Sequence, residues 1–425
     1  MFYETLIIIM KKNIWLWALA GLFMVSCSSN DDEPNIEKPV TEDDWEGPNG
    51  QVVIQLGGGE STATANTTVT RTPITEESFI GTKVGVFALA TTPNTDTPAT
   101  DWSTTEGALL SNVQGIISTQ TNTEGSETGA EKISLYRNGT SGAVYYYPMD
   151  NKYDYTFYGY APFQEDATVT ASQATVQFND FNGSQDIMWN KAAAPQIPEG
   201  SIYIDEDTNE KNSTVITGYK AKYIRQLKYN HDIITKQSKD DGKDYTWVPN
   251  IKFNHLLTQF TFQVVAAKKQ SEADKEKVKD MKVKDIKIKN HGRIATLDII
   301  SGTLTWTGSE DIAMLENDID EAANKSFTPS NETNGGETVG YLMAKPTDGT
   351  TPLELEVTIE APTATSGTAI PTEQTVPVFI NTTGGFKPGV IYNVQIGIYA
   401  MQEVQADATL TEWKEFDDNI EAPVE

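Results

Sequence analysis

Apolar and polar residues alternate along most of this chain in short runs that turn residues interrupt. The runs begin with KVGVFAL (83–89), EKISLYR (131–137), AVYYYP (143–148), DYTFYGYAP (154–162), TVTASQATVQF (168–178) and DIMWN (186–190). After a polar segment at 205–213 the rhythm resumes with IKFNHLLTQFTFQVV (251–265), VKDIKIKN (283–290) and RIATLDII (293–300). TVGYLMAKP (338–346), LELEVTIEAP (353–362), TVPVFIN (375–381) and VIYNVQIGIYA (390–400) complete it. A period of two marks strands. Two sets of short strands with no βαβ rhythm predict an all-β protein, two antiparallel β-sandwich domains in series. The segment 191–250 separates the sets, and the boundary is placed near residue 248, giving domains over 72–248 and 249–425. One short helix is predicted in the second domain. Ser309 caps a segment in which Ile312, Leu315, Ile319, Ala322 and Ala323 recur on one face, with Glu310 and Asp311 in the first turn.

An earlier strand is predicted over Gln51–Leu56, with Val52, Ile54 and Leu56 on one face. It runs into Gly57, Gly58 and Gly59 and a Thr/Ala/Ser/Asn stretch that ends at Arg71. No Lys-Ser/Thr follows the glycines and no helix pattern begins, so they read as a flexible connection rather than a phosphate loop.

Ahead of that strand lies an address. Lys11 and Lys12 precede an apolar run from Ile14 to Val25, the charged region and short hydrophobic region of an export signal over residues 1–26. The run is short against the roughly 20 residues of a membrane span. Met10 heads this signal more naturally than Met1, because MFYETLIII puts an acid and a second apolar stretch before the lysines. Met24-Val25-Ser26-Cys27 resembles the lipobox of bacterial lipoproteins, in which the Cys is acylated and becomes the first residue. The acidic run Asp31-Asp32-Glu33 that follows looks like the export tag of lipoproteins displayed on the surface of Bacteroidota. Residues 27–71 then read as an acid- and proline-rich tether, anchored by lipid, together with the first strand.

Charge and composition narrow the function. Sixty acidic residues against 32 basic ones give a formal charge of −28, which argues against a nucleic-acid partner. One Cys excludes a disulfide framework. The three His are far apart, so no His-based metal site is expected, and no catalytic residue or cofactor is assigned. His255 alternates with Phe253 and Leu257 and reads as a core or domain-interface histidine. Asp205, Asp207 and Asn209 have the spacing of a calcium loop, but Glu210 stands where the loop needs Gly, and a solvated loop is the expectation. Nine lysines against five acids between Lys268 and Lys289 form either a solvated stretch or a docking surface for an acidic neighbouring copy. The aromatic stretch Tyr145–Tyr160 reads as core packing, with a sugar-stacking face as the alternative.

Several segments, taken in order, resemble the fimbrillin family of fimbrial subunits. They are the lipobox at Cys27, Arg71, FIGTKVGVFAL (79–89), YYYPMDNKYDYTFYGYAP (145–162), DIMWNKA (186–192), FNHLLTQFTF (253–262), GGFKPGVIYNVQIGI (384–398) and ATLTEW (408–413). The resemblance implies two transthyretin-like domains, lipoprotein export to the outer membrane and cell surface, and assembly with other fimbrial subunits after proteolysis. An Arg-specific protease would cut between Arg71 and Thr72, releasing the strand that holds Val52, Ile54 and Leu56. Another subunit's strand would fill the groove, and the alternating Val404, Ala406, Ala408 and Leu410 make this chain's tail a candidate donor. The alternative is an uncut surface lipoprotein that binds glycans through its Tyr-rich stretch.

Overall fold

In the computed structural model, Gly57–Glu60 (β1, strands being numbered along the chain) pairs on both sides, although its first three residues carry no side chain. The structure describes residues 40–60, 79–93, 95–121, 127–194, 203–204, 211–212, 218–236, 247–266, 271, 278, 281–316, 338–360, 373–400 and 403–412. The glycines are therefore strand, not the flexible connection expected. The strand expected at Gln51–Leu56 is reduced to bridges at Val52 and Val53.

β1 runs parallel to Asn250–His255 (β12) and antiparallel to Glu127–Arg137 (β4). From β12 the sheet continues through Met188–Lys191 (β9), Tyr155–Ala161 (β6), Lys83–Ala90 (β2) and Ala108–Thr121 (β3) back to β4, from which Thr140–Ser141 (β5) hangs. Seven strands thus close into a ring. A closed ring with an odd number of strands cannot alternate direction throughout, so it must hold a parallel pair, and β1–β12 is that pair.

β2 and β6 are buried on both faces, which is why they read as nearly continuous apolar runs. Val84, Val86 and Phe157 point into the barrel, together with Ile117, Ile133, Ile251 and Phe253. Phe87, Leu89, Tyr158 and Tyr160 point out into a second core. That core is covered by a four-stranded sheet of Ala167–Val169 (β7), Ala174–Phe178 (β8), Ile294–Asp298 (β15) and Leu304–Thr307 (β16). The single strand expected over 168–178 is thus the hairpin β7–β8, whereas β15 comes from far along the chain.

The same second core fills a β-sandwich. One sheet is Leu315–Glu316 (β18), Thr338–Ala344 (β19), Thr258–Ala266 (β13), Val390–Ala400 (β22) and Glu403–Glu412 (β23), in that order. The other is Glu310–Ala313 (β17), Lys282–His291 (β14), Leu353–Glu360 (β20) and Glu373–Ile380 (β21). Phe260, Phe262, Val394 and Ile396 meet Ile286, Ile288, Leu355 and Val357 between them. A further pair, Tyr203–Ile204 (β10) with Lys211–Asn212 (β11), stands apart.

The all-β expectation holds, with three corrections. Pairing is not antiparallel throughout, since β13 and β22 run parallel as well as β1 and β12. No helix starts at Ser309. Ile312 pairs with Ile288 in β17, and Leu315 with Tyr341 in β18, while residues 317–323 lie outside the described residues. Among the described residues a 16-residue helix, Ala221–Lys236 (α1), lies instead in the segment 191–250 that separates the two sets of strands. Its first turn is capped from a distance, the Lys222 amide donating to the Asn151 side chain at 2.7 Å. Contacts divide the chain into Met1–Pro39, outside the described residues, and Val40–Glu425, which contains every element above.

Candidate functional site

The segment 52–60 fills a slot in the barrel wall. Val52, Ile54 and Leu56 are 0, 4 and 4% exposed and belong to the barrel core, and Gly58 is buried two residues on. The Ile54 amide donates to the Tyr145 carbonyl at 2.7 Å, and the Tyr147 amide to the Val52 carbonyl at 3.0 Å. Further along, the Ile133 amide of β4 donates to Leu56 O, and the Gly57 amide to Pro249 O just ahead of β12, both at 2.9 Å. A Cβ built on Gly58 would lie 2.5 Å from Ile133 Cγ1 and 3.1 Å from Ile117 Cδ1, so this position admits no side chain without displacing the barrel core. The pairing of β1 with β4 is a single residue pair, Gly57 with Lys132. Beside it opens a cavity of about 290 Å³ lined by Ile54, Leu56, Lys132, Ile133, Leu135 and Trp247.

Cations hold the approach to this slot. Lys132 Nζ lies 2.9 Å from Glu42 Oε1 and 2.7 Å from Asp43 Oδ1, and Ser134 Oγ donates to the same Glu42 oxygen at 2.8 Å. Burial works against the Lys132 ammonium, but its bonds to Asp43 and Glu42 outweigh it and hold its pKa above the usual lysine value. From α1, Lys228 sits over the Trp45 ring at 5.3 Å and the Trp247 ring at 5.6 Å, while the Arg225 guanidinium donates to the Gly50 carbonyl. The side chain of Gln55 donates to Asp43 O at 3.0 Å. Residues 42–50 are thereby strapped over the strand that follows them.

The sequence-predicted residues fall in three places. Val52, Ile54 and Leu56 lie in the slot. Val404, Ala406, Ala408 and Leu410 lie in β23, the outer strand of its sheet, opposite Ile398, Ile396, Val394 and Tyr392 of β22. Cys27, Arg71, Thr72, Asp205, Asp207 and Asn209 lie outside the described residues. Among the described residues no cluster of three His, Cys, Asp or Glu is placed to hold a metal, and no helix is long and apolar enough to cross a membrane.

No family model matches the chain, and no curated protein matches it in sequence. Among solved structures it is similar to a fimbrial protein from Bacteroides vulgatus, at 14% identity and a TM-score of 0.43 over 85% of this chain and 99% of that one. A fimbrilin, FimA, from Porphyromonas gingivalis matches at 9% identity and a TM-score of 0.40, over 86% and 99% of the two chains. The tip fimbrial protein Mfa3 of the same organism matches at 8% and 0.32, over 85% and 100%. Fimbrial proteins are what this chain resembles.

Tyr147, Tyr155, Tyr158 and Tyr160 are each at most 2% exposed, so these four rings pack the two cores, whereas Tyr145, Tyr146 and Tyr153 of the same stretch are half-buried. His255 is buried and its Nδ1 lies 2.8 Å from Asp186 Oδ2. The described end of the lysine-rich stretch pairs within its own chain, Lys284 with Glu360 and Lys289 with Asp311 and Glu356. Sequence reasoning missed β1 as a strand, and it missed the cations Lys132, Arg225 and Lys228. Nothing local marks those cations, because their partners lie far away along the chain.

Proposed function

We propose that this chain is a structural subunit of a surface fimbria, with no reaction of its own. It is exported as a lipoprotein on Cys27, cut after Arg71 by an Arg-specific protease to leave Thr72 first, and joined to other fimbrial subunits by strand exchange for adhesion. The two transthyretin-like domains and the outer-membrane location belong to the same reading. One observation carries it. Gly57–Glu60 lies between β12 and β4, Val52 to Ile54 leads into it alongside Tyr145–Tyr147, and Arg71 falls in the sequence between this segment and β2.

A cut at Arg71 turns the plug into a separate peptide held only by non-covalent contacts. Burial of Val52, Ile54 and Leu56 contributes roughly 6 kcal/mol at about 2 kcal/mol per side chain. An emptied slot therefore exposes apolar surface together with the unpaired edges of β12 and β4, which an incoming strand satisfies with backbone hydrogen bonds and alternate side chains. For β23 to serve as donor it must first leave β22.

The test is to treat lipid-free protein beginning at Ser28 with an Arg-specific protease, locate the cut by mass spectrometry, and compare unboiled with boiled samples on an SDS gel. A new terminus at Thr72 with a ladder that collapses on boiling is the expected result. Arg71→Ala abolishes both. A resistant Arg71, or cleavage that yields monomers alone, would overturn the reading.

A further inference from the structure

We infer that the slot selects a donor strand from a different subunit and rejects this chain's own tail. The required donor carries three large aliphatic side chains at alternate positions, then glycine two residues further on. This rests on the strand-exchange reading above and deepens it by stating the chemistry of the partner.

The present occupant defines the slot. Its inward positions are Val52, Ile54, Leu56 and Gly58, three filled by branched side chains and the fourth too close to Ile133 and Ile117 for a Cβ. Between them Val53 is also buried, at 2% exposure, while Gln55 turns outward to the carbonyl oxygens of residues 42 and 43. Shape complementarity is thus demanded at every second residue from Val52 to Gly58, and on the other face at Val53 as well.

Direction gives no escape. β12 and β4 run antiparallel to each other, because β1 is parallel to one and antiparallel to the other. Any occupant is parallel to one neighbour and antiparallel to the other, so both directions need testing.

The tail offers Val404, Ala406, Ala408 and Leu410 at alternate positions. Laid in the direction of the occupant, it puts Leu410 where Gly58 stands and alanines in place of Ile54 and Leu56. Laid in reverse, it puts Val404 on Ile133 and again leaves two alanine-sized gaps. A shift by two residues one way brings an alanine to the glycine position, where its Cβ still meets Ile133, and carries Gln402 or Glu412 into the place of Val52, while a shift the other way brings Glu412 or Gln402 to the glycine position itself. The opposite face of the tail, Glu403, Gln405, Asp407, Thr409 and Thr411, is polar. Each alignment combines overpacking at one end with cavities or a buried polar group at the other.

The test uses the full chain cut at Arg71, separated in mild denaturant from the released N-terminal peptide and checked by mass spectrometry, and three fluorescent peptides. These are residues 50–60, the same peptide with Gly58→Val, and residues 403–413, each followed by anisotropy. The 50–60 peptide enters the cut protein, whereas the other two bind at least tenfold more weakly. In protein carrying Ile133→Ala the Gly58→Val peptide recovers, and the parent peptide checks that this variant still offers a slot. Equal binding of the 403–413 peptide would overturn the selectivity while leaving strand exchange standing. If no peptide enters the cut protein, strand exchange itself fails and the inference falls with it.

Discussion

His291 is sealed between aromatic rings, stacked on Phe181 at 5.1 Å and edge-on to Trp306 at 4.8 Å. Its Nδ1 donates to Gly292 O at 2.7 Å and its Nε2 accepts from the Lys345 amide at 2.9 Å, so the neutral ring is fully used. Burial pulls its pKa down to about 4, against the bond to Gly292 and with the help of the Lys345 charge. The unfolded chain, with a histidine pKa near 6.5, takes up the proton first. Stability is therefore full above pH 6.5 and falls by about 3 kcal/mol as the pH drops toward 4. Urea unfolding at pH 7.5 and 4.5 measures the loss, and His291→Gln flattens the slope in that window. At this scale the sequence is readable where a residue's neighbours are near it in the chain. His255 shows itself by alternating with Phe253 and Leu257, and it is buried. Nothing around His291 announces Phe181 or Lys345, which distant loops and strands deliver.

The strap over β1 behaves as one element. Lys132 is 19% exposed and serves two carboxylates, so its replacement leaves Glu42 and Asp43 without their cation and loosens residues 42–57. In Lys132→Met, hydrogen exchange of the Val53, Ile54 and Gly57 amides speeds up about tenfold, corresponding to about 1.4 kcal/mol of lost protection, while β20 amides keep their rates. Unchanged exchange in the slot would show that apolar burial alone holds the strand. Strand periodicity was readable because period two is written in side chains. β1 was not, because glycine has no side chain to mark a face. The segment after Ser309 carried a helical spacing of Ile312 and Leu315, yet strand pairing with β14 and β19 prevailed. α1 went unseen because Lys220 precedes it where a Ser, Thr, Asp or Asn would signal a start, and its first turn holds no acid.

Across the whole molecule, β2 and β6 belong to two cores at once. Phe157 packs inside the barrel and its neighbour Tyr158 packs outside it, so neither core can be lost without stripping a face from the same strand. Unfolding of residues 40–425 is expected as one transition, with far-ultraviolet circular dichroism and Trp fluorescence coincident. Phe157→Ala in the barrel, at about 3–5 kcal/mol, and Ile286→Val in the sandwich, at about 1 kcal/mol, shift that same midpoint. Two separated transitions, each moved by one substitution alone, would refute the shared wall. The closing strand has a bearing on timing as well. A nascent chain emerges from its N-terminus at roughly 5–20 residues per second. β12 ends at His255, so β1 waits for its parallel neighbour until nearly two hundred further residues have been made, roughly ten to forty seconds at that pace. During that interval Val52, Ile54 and Leu56 have no finished barrel to enter, and their apolar side chains go without the core that later covers them.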